Sequence, residues 1–472
     1  MKNVYITTAI PYVNGNPHIG HVEDYLLADI SARYAKLNGA SVRFQVGTDE
    51  HGNKIEQKAK SLNRDVQEYV DENAENFKTF ISKLGVEYTD FIRTTDADHM
   101  KRVQEIWKNL KDHIYLNKYE GWYCTGCERF ITDKECEENG GVCPDHQANY
   151  DRLEESNYYL RIADFKDEIR AKIESDEMKI LPESRKKQVL KLLEDTPDVS
   201  ISRPKTHLTW GVPVPGDDSQ VMYVWMDALS NYITVLGYPD AKDFDDFWPA
   251  SVQIVGKDIL RFHAIIWPSI LLGLGLPLPK VLLSHGFILA NGQKMSKSIG
   301  NVVDPIEVLE RHGLDATRYY FSRHIDTFDD SDFTWEKFDN AYNNELANDF
   351  GNLVQRLAAM SKKNEVKGQE AFEPIYDGEY KNFMDNYEYT KAMDYVWSKV
   401  QDVNKHIEET KPWMVAKEDP ATAKKLLEDL DRELLQVNYL LKPFLPDATS
   451  KVEDIFVTSD IIEPGTPLFP KN

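Results

Sequence analysis

Residues 4–21 read VYITTAIPYVNGNPHIGH, and this stretch decides the fold. Residues 4–10 are rich in β-branched side chains, which predicts a buried strand, and the turn-forming residues 11–17 predict a loop. A helical pattern then runs from about residue 21 to residue 38, where Asn-Gly ends it. A second strand, predicted over residues 42–47, is again followed by helix. This alternation predicts an α/β protein with a parallel sheet and crossover helices.

Two histidines, His18 and His21, lie between the first predicted strand and the start of the first predicted helix. Backbone N–H groups at a helix start point toward an anion, and imidazole donors add to them. The five residues alone also fit an ordinary turn that happens to carry two histidines. A second stretch, GQKMSKSIGN at residues 292–301, removes much of that ambiguity.

This second stretch places Lys294 and Lys297 on a loop flanked by glycines. A mobile loop suits lysines that must close over a polyphosphate, although an exposed lysine loop would have the same local composition. Together with the two histidines, the lysines supply cations and donors from distant parts of the chain. Phosphoryl and nucleotidyl transfer need such groups, because charge on the phosphate oxygens is stabilised by positioned cations.

The composition indicates a globular protein of several domains. Its 472 residues are 41% hydrophobic and 29% charged, which is more chain than one core accommodates. The sequence contains no membrane-span candidate and no signal peptide, so we expect a cytoplasmic protein without a membrane partner. The net charge of −23 argues against non-specific nucleic-acid binding but allows a local basic face.

The strand–helix rhythm breaks near Lys118 and returns with strands predicted over residues 221–224, 252–255 and 281–284. We therefore expect a split Rossmann-like catalytic domain with an inserted module, followed by an all-α bundle. The predicted divisions are the first catalytic half (1–117), the insertion (118–205), the second catalytic half (206–280), a region around the lysine loop (281–335) and the bundle (336–472).

All four cysteines fall between Cys124 and Cys143, a clustering that favours metal over disulfides. The spacing Cys124-x-x-Cys127 followed by Cys143-Pro-Asp-His146 predicts two paired turns around a tetrahedral zinc. Cys136 is an alternative fourth ligand. We prefer His146, because it completes the second turn while Cys136 sits among acidic residues.

A set of aromatic side chains clusters in the second half of the predicted sheet: Trp225, Tyr232, Phe262, His263 and Trp267. Such a set commonly packs a core, but around a ligand it would form a soft apolar pocket that suits a thioether. Asp49 follows the second strand and is a candidate for binding a ligand cation such as an α-amino group. Its alternative role is a helix N-cap.

These motifs resemble those of class I aminoacyl-tRNA synthetases, most closely the methionyl-tRNA synthetase family, over essentially the whole chain. The signatures at residues 18–21 and 294–298 are intact, and pocket motifs recur at residues 9–12, 47–52 and 223–228. The resemblance implies that His18, His21, Lys294 and Lys297 bind ATP, which Mg²⁺ accompanies, and that the region 281–335 contacts the tRNA stem. It further implies that Asp49 binds the amino group of L-methionine, whose side chain is surrounded by Ile10, Tyr12, Trp225, Tyr232, Ile259 and His263.

The resemblance also implies one zinc per chain in the insertion and an anticodon-binding bundle. Asn352 and Arg356, spaced i, i+4, and Trp413 match anticodon-reading positions, so tRNA(Met) is the expected partner. We expect a monomer, because no dimer-forming domain follows the bundle in this sequence.

Three alternatives compete with methionine–tRNA ligase activity. Synthetases for leucine, isoleucine or valine carry an editing insertion for which residues 118–205 leave too little room, and a cysteine enzyme is a further relative. A simple nucleotidyltransferase would not need the bundle. A zinc-stabilised RNA-binding module would leave Lys297 dispensable.

Overall fold

The computed structural model describes residues 2–125, 129–290, 292–295, 301–375 and 378–471. The chain forms two compact units, which we call unit 1 and unit 2. Unit 1 comprises Met1–Asn16, Ser41–Thr79 and Tyr88–Ser284, and unit 2 comprises Pro17–Ala40, Phe80–Glu87 and His285–Asn472.

The strands in chain order are β1 (Asn3–Thr8), β2 (Ser41–Thr48), β3 (Asp90–Arg93), β4 (Ile114–Cys124), β5 (Arg129–Ile131), β6 (Asp151–Leu160), β7 (Lys179–Leu181), β8 (Val199–Ser200), β9 (Ser202–Pro204), β10 (Gln220–Met222), β11 (Val252–Gly256), β12 (Val281–His285), β13 (Ile288–Ala290), β14 (Gln293–Lys294) and β15 (Ser331–Phe333).

The α-helices are α1 (Gly20–Leu37), α2 (Asn53–Ser61), α3 (Val66–Lys83), α4 (Ala97–Asn109), α5 (Asp133–Glu138), α6 (Lys166–Glu174), α7 (Glu183–Asp195), α8 (Val224–Thr234), α9 (Lys242–Phe247), α10 (Trp267–Gly273), α11 (Pro305–His312), α12 (Leu314–Arg323), α13 (Trp335–Asn340), α14 (Asn352–Lys363), α15 (Gly378–Asp385), α16 (Tyr389–Thr410), α17 (Pro412–Glu418), α18 (Pro420–Leu441) and α19 (Pro446–Phe456). Phe262–Ile266 and Ala341–Gly351 are π-helical, and Lys111–His113 and Ile162–Asp164 are short 3₁₀ turns.

Unit 1 is built on a six-stranded sheet in the order β3-β2-β1-β11-β12-β7. The pairs β3–β2, β2–β1, β1–β11 and β12–β7 are parallel, with Ile6 opposite Phe44 on one side and Val252 on the other. The chain adds strands on one side of β1 and later on the opposite side. The switch between β1 and β11 is where ligands bind parallel sheets, at the carboxyl ends of the strands. The predicted α/β fold is confirmed.

Two details of the sheet differ from the prediction. The strand expected over residues 221–224 ends at Met222, because α8 begins at Val224. It pairs antiparallel with β9 and is not part of the parallel sheet. Neither edge strand, β3 or β7, was predicted, and β7 is the shorter of the two. It has three residues, of which only Ile180 is fully buried, so it carries no readable hydrophobic period.

The insertion is an antiparallel sheet in the order β5-β4-β6-β8. β4 and β6 pair along their whole length, from Ile114 opposite Leu160 to Tyr123 opposite Asp151. At the far end of this ribbon lies a small buried cluster of Cys124, Ile131, Cys136, Cys143 and Tyr150. The predicted cysteine-containing insertion is therefore confirmed.

Unit 2 contains α1, a small sheet in the order β14-β13-β15 and the helices from α11 onward. Apolar side chains recur at helical spacing along α18, where Ala423, Leu427, Leu430 and Leu434 are all buried. The predicted C-terminal bundle is confirmed. Among the described residues, no helix combines the length and the apolar character needed to cross a membrane.

A fully buried arginine, Arg318 of α12, joins α1 to the C-terminal helices within unit 2. Its Nη2 donates to Asp29 Oδ2 of α1 at 2.7 Å, and its Nε donates to the Phe444 carbonyl at 2.7 Å. Further bonds reach the carbonyls of Leu84 and Pro443. A buried guanidinium is stable only when its donors are satisfied, so these segments depend on one another.

Candidate active site and metal site

The loops that follow β1 and β2 are joined at the carboxyl edge of the unit 1 sheet. The Asp49 amide donates to the Pro11 carbonyl at 2.9 Å, and the Val13 amide donates to the Asp49 carbonyl at 3.2 Å. Tyr12 and Asp49 form an isolated parallel bridge, and Asp49 is buried. The predicted pocket residues on these two loops therefore lie together.

Gly47 permits this close approach. A Cβ at this position would lie 2.3 Å from the Ile92 carbonyl oxygen and 3.0 Å from Cγ2 of Ile10. Even the smallest side chain would therefore push Ile10 and β3 away from the loop.

The aromatic set also comes together in unit 1. Trp225 and Phe262 stack with ring centroids 3.7 Å apart, and the Trp225 ring stands nearly perpendicular to His263 at 6.3 Å. Trp225 is half-buried, so part of its surface remains available to a ligand. Trp267 differs, because it is fully buried and packs between Tyr232 and Trp248 in the core. Core packing is thus the role of Trp267.

Hydrogen bonds orient His263 at the centre of this set. Its Nδ1 lies 3.0 Å from the Ile259 carbonyl, which can only accept, so Nδ1 carries a proton. Its Nε2 lies 2.8 Å from the Tyr232 hydroxyl. In the neutral imidazole Nε2 therefore accepts from Tyr232, and the two side chains hold each other in place. The Tyr5 hydroxyl of β1 donates to the Tyr232 carbonyl at 2.9 Å and thereby anchors α8, which carries Tyr232, to the sheet.

A buried carboxylate, Asp227, connects the loop after β2 with the helix that carries Trp225. Asp227 Oδ2 lies 2.6 Å from His51 Nδ1, and Oδ1 lies 2.8 Å from His99 Nε2. Burial raises the pKa of Asp227, but the charges and hydrogen bonds of the two histidines outweigh this and bring the pKa down to about 2. Asp227 is therefore a permanent anion that holds α8, α4 and the Asp49–His51 loop together.

In unit 2 the two signature histidines form one stacked pair at the start of α1. Their ring centroids are 3.8 Å apart, and the His18 backbone N–H donates to His21 Nδ1 at 3.1 Å. A Cβ at Gly20 would lie 3.0 Å from the His18 ring, so glycine leaves room for the stack. Burial and the neighbouring His18 lower the pKa of His21 well below its usual range. Neutral His21 thus accepts at Nδ1 and presents Nε2–H as a donor.

His285, at the end of β12, forms a charged group in unit 2 with Glu23 and Asp24 near the start of α1. His285 Nε2 lies 2.8 Å from Asp24 Oδ1, and Nδ1 lies 2.9 Å from the Gly286 carbonyl. Both ring nitrogens face acceptors, which fits the imidazolium. Burial lowers the pKa of His285, but Asp24 and Glu23 raise it to about 9. Burial also raises the pKa of the Glu23 carboxyl to about 8, which the His285 charge only partly opposes.

The lysine loop is described in part. Lys294 ends the β13–β14 hairpin, with its backbone opposite Leu289. Lys297 lies outside the described residues. The structure therefore places the root of this loop in unit 2 and leaves the roles of both lysines as predictions.

Three donors of the predicted metal site meet in the insertion. The ligand atoms of Cys124, Cys143 and His146 all lie within 4.8 Å of one another, with Cys143 Sγ 3.5 Å from His146 Nδ1. Tetrahedral bonds of about 2.1–2.3 Å place ligand atoms roughly 3.5–4 Å apart, so this geometry fits a metal ion. Cys127 lies outside the described residues. Cys136 is buried in the same cluster but is not among the donors that meet.

The predicted anticodon residues lie in the bundle with their side chains at least partly exposed. Arg356 Nη1 bonds Glu408 Oε1 at 2.5 Å, and its Nη2 bonds Asn404 Oδ1 at 3.2 Å, near the end of α16. Trp413 begins the next helix and is 39% exposed, so it does not fill the bundle core. Asn352 is exposed one turn before Arg356 on α14.

Comparisons with known proteins agree with this arrangement. A family model described as tRNA synthetases class I (M) matches residues 4–157 and 147–358, and one for the anticodon binding domain of methionyl tRNA ligase matches residues 362–465. The methionine–tRNA ligase of Thermotoga maritima is 40% identical over 468 residues, which cover 95% of this chain and 74% of that protein. The chain belongs to the methionyl-tRNA synthetase family.

Further methionyl-tRNA synthetases resemble this family member over nearly its whole length. The methionine–tRNA ligase of Listeria innocua is 39% identical over 99% of this chain and 78% of its own length. A structure of Mycobacterium tuberculosis methionyl-tRNA synthetase in complex with methionyl-adenylate has a TM-score of 0.92 at 32% identity and covers 100% of both chains. This chain is thus a class I aminoacyl-tRNA synthetase with methionine–tRNA ligase activity, and the alternative classes are set aside.

Sequence reasoning missed two groups of residues in this synthetase. His99 and Asp227 complete the buried group around His51, and Glu23, Asp24 and His285 form the charged group in unit 2. Asp227 stands inside the motif at residues 223–228, and Glu23 and Asp24 closely follow the motif at residues 18–21, which is the available signal. Nothing in the sequence indicates which carboxylate meets which histidine.

Proposed function

We propose that this methionine–tRNA ligase binds L-methionine in unit 1, between the Asp49 loop and the aromatic set around His263. The observation that carries the proposal is the hydrogen bond between His51 and Asp227, which joins the loop of the buried Asp49 to the helix that carries the half-buried Trp225. Asp49 would pair with the α-amino group. Ile10, Tyr12, Trp225, Tyr232, Ile259 and His263 would surround the thioether, which makes favourable contacts with aromatic rings.

In the first step, a carboxylate oxygen of methionine forms a bond to the α-phosphorus of ATP. The bond between this phosphorus and the bridging oxygen breaks, and pyrophosphate leaves with its Mg²⁺. The attacking carboxylate is already ionised, so the step needs positioning and charge stabilisation instead of a general base. We assign these tasks to His18, His21, Lys294 and Lys297. The neutral state of His21 supports its role, because Nε2–H can donate to a phosphate oxygen at neutral pH.

In the second step, the 3′-terminal ribose hydroxyl of tRNA(Met) attacks the carbonyl carbon of methionyl-adenylate, and AMP leaves. The Mycobacterium tuberculosis relative was solved with methionyl-adenylate, which supports this intermediate here. For recognition of the partner, we propose that Trp413 stacks on an anticodon base while Asn352 and Arg356 read base edges. The exposure of Trp413 supports this assignment.

We further propose that Cys124, Cys127, Cys143 and His146 hold one zinc per chain. Its role would be structural, since protein donors fill all four positions. The division of the chain at residues 118, 206, 281 and 336, a monomeric state and a cytoplasmic location stay predictions. Sedimentation of the purified protein would test the monomer.

The sharpest test of the methionine pocket is amino-acid-dependent ATP–pyrophosphate exchange with an α-hydroxy analogue of methionine as control. We expect exchange with methionine, strongly preferred over leucine and isoleucine. Asp49→Asn should reduce exchange with methionine by about 10²-fold, because a buried charge pair is lost, and should leave the hydroxy analogue nearly unaffected. Equal loss with both substrates would refute the role of Asp49, and exchange driven equally by leucine would refute the pocket.

A further inference from the structure

A mostly polar cavity of about 350 Å³ lies in unit 1, outside the residues assigned above. Three parts of the unit form its walls: helix α2, the paired ends of β4 and β6 in the insertion, and the segment from β9 to α8. The side chains that matter here are Asn53, Gln57, Tyr123, Arg203, His207 and Tyr223.

Hydrogen bonds tie the walls of this cavity together. The Gly52 amide at the start of α2 donates to the Trp210 carbonyl at 3.1 Å, and Trp210 Nε1 donates to the Glu50 carbonyl at 2.6 Å. Gln220 Nε2 of the β9–α8 segment donates to the Ser156 carbonyl of β6 at 2.7 Å. Because these walls are fixed before a ligand arrives, binding costs little ordering entropy.

A fixed positive charge lies at this cavity. Arg203 is only 5% exposed, and its guanidinium carbon lies 4.1 Å from the centroid of the Tyr223 ring. Its Nη1 donates to the Ser202 carbonyl at 2.7 Å and to Ser200 Oγ at 2.8 Å. A guanidinium held in this way attracts an anionic group such as a phosphate. The opposing carboxylate, Asp151, is exposed to solvent at the wall formed by β6.

The remaining lining matches a nucleobase. The amides of Asn53 and Gln57 each offer a donor and an acceptor, which is what base edges require, and Tyr123 and Tyr223 offer rings. The volume lies in the range of roughly 300–1,000 Å³ typical of small-ligand sites, so it admits one nucleotide and no RNA helix.

The cavity neighbours the methionine pocket along the chain. Asn53 follows Asp49 by four residues, and Tyr223 stands two residues before Trp225. We propose that this cavity binds one unstacked nucleotide of the single-stranded 3′ end of tRNA, an inference that rests on the function proposed above. Bound there, the nucleotide would direct the terminal ribose toward the activated carboxyl group.

The test measures the affinity of the wild-type protein and of variants for two tRNA(Met) transcripts, one that keeps the single-stranded 3′ end and one that lacks it. Wild-type protein should bind the truncated transcript about 10-fold more weakly, the typical effect of one base contact. Gln57→Ala, on the exposed side of α2, should weaken binding of the intact transcript by about the same 10-fold and make binding insensitive to truncation. His207→Ala should act in the same direction. Gln67→Ala, an exposed glutamine on α3, is the matched control and should behave as wild type.

Methionine-dependent pyrophosphate exchange separates this inference from the proposed function. Gln57→Ala should exchange at the wild-type rate with an unchanged KM for ATP, while single-turnover transfer from preformed methionyl-adenylate slows about 10-fold. A raised KM for ATP with normal transfer would mean that the cavity holds ATP and would overturn the inference. So would a truncation effect of equal size in Gln57→Ala and wild type. Absence of exchange in the wild-type protein would instead refute the proposed function.

Discussion

Replacing Asp227 by asparagine removes the charge of this side chain and keeps its size. In the wild type, one oxygen accepts from His51 and the other from His99. Asparagine keeps one acceptor oxygen, and its NH₂ group faces the second ring nitrogen. One histidine must then change tautomer or lose its partner. Because His51 belongs to the loop of Asp49, and Trp225 lies two residues before Asp227, we expect the methionine pocket to loosen.

The size of the effect follows from the pKa of Asp227, which the folded protein lowers from 3.8 to about 2. At about 1.4 kcal/mol per pKa unit, the histidines stabilise the ionised form by roughly 2–3 kcal/mol. If this energy holds the binding-competent arrangement, its loss reduces the competent fraction and raises the apparent KM for methionine by roughly 10–100-fold. The melting temperature should fall as well, while the KM for ATP should change little.

Methionine titrations of pyrophosphate exchange and a thermal melt measure both effects. Asp245→Asn, an exposed aspartate on α9, is the matched control. The lowered pKa of Asp227 stabilises the fold above the unfolded value of 3.8, and this contribution disappears as the pH falls through about 2. It is constant at neutral pH, so only substitution reveals it there. A variant with wild-type KM and melting temperature would refute the positioning role.

Four further outcomes are expected. Metal analysis should find about one zinc per chain, retained in Cys136→Ser and lost in Cys143→Ser; loss of the metal in Cys136→Ser together with its retention in His146→Ala would make Cys136 the fourth ligand instead. Lys297→Ala should slow adenylate formation by about 10²–10³-fold with little change in methionine affinity, and a normal exchange rate would contradict its role. Trp413→Ala should weaken tRNA charging by about 10–100-fold and leave exchange intact, whereas parallel loss of exchange and melting temperature would make it a core residue. The raised pKa of Glu23 disfavours the fold increasingly as the pH rises from 4.5 to about 8, so Glu23→Gln should flatten the fall in melting temperature over this range, and an unchanged slope would contradict the assignment.

The parts of the fold that were predictable are those with a strong local period. β1 and β11 are rich in buried β-branched residues, and the positions of β1, β2 and β11 matched the prediction closely. The apolar period seen in α18 identified the bundle but not the bounds of its individual helices. β7 was not predicted, because a strand of three residues is too short to show a hydrophobic period. The motif loops could be placed because parallel strands bring their carboxyl ends to one edge.

The partners of buried charges could not be predicted. Asp227 and His51 are separated by 176 positions, and His285 and Asp24 by 261. Such pairs depend on which helix packs on which strand, and propensity contains no information about this. The role of Trp267 was also undecidable from its motif, because core and pocket aromatics have the same composition and differ only in exposure.

The bonds of Arg318 bear on how this chain can be divided in the laboratory. Cutting the chain after α18 would remove the carbonyls of Pro443 and Phe444 and leave the guanidinium beside Asp29 with only part of its acceptors. The helix that begins with the signature histidines would then rest on an unsatisfied charge. A minimal catalytic fragment therefore has to keep these two residues or replace Arg318 and Asp29 together by apolar side chains.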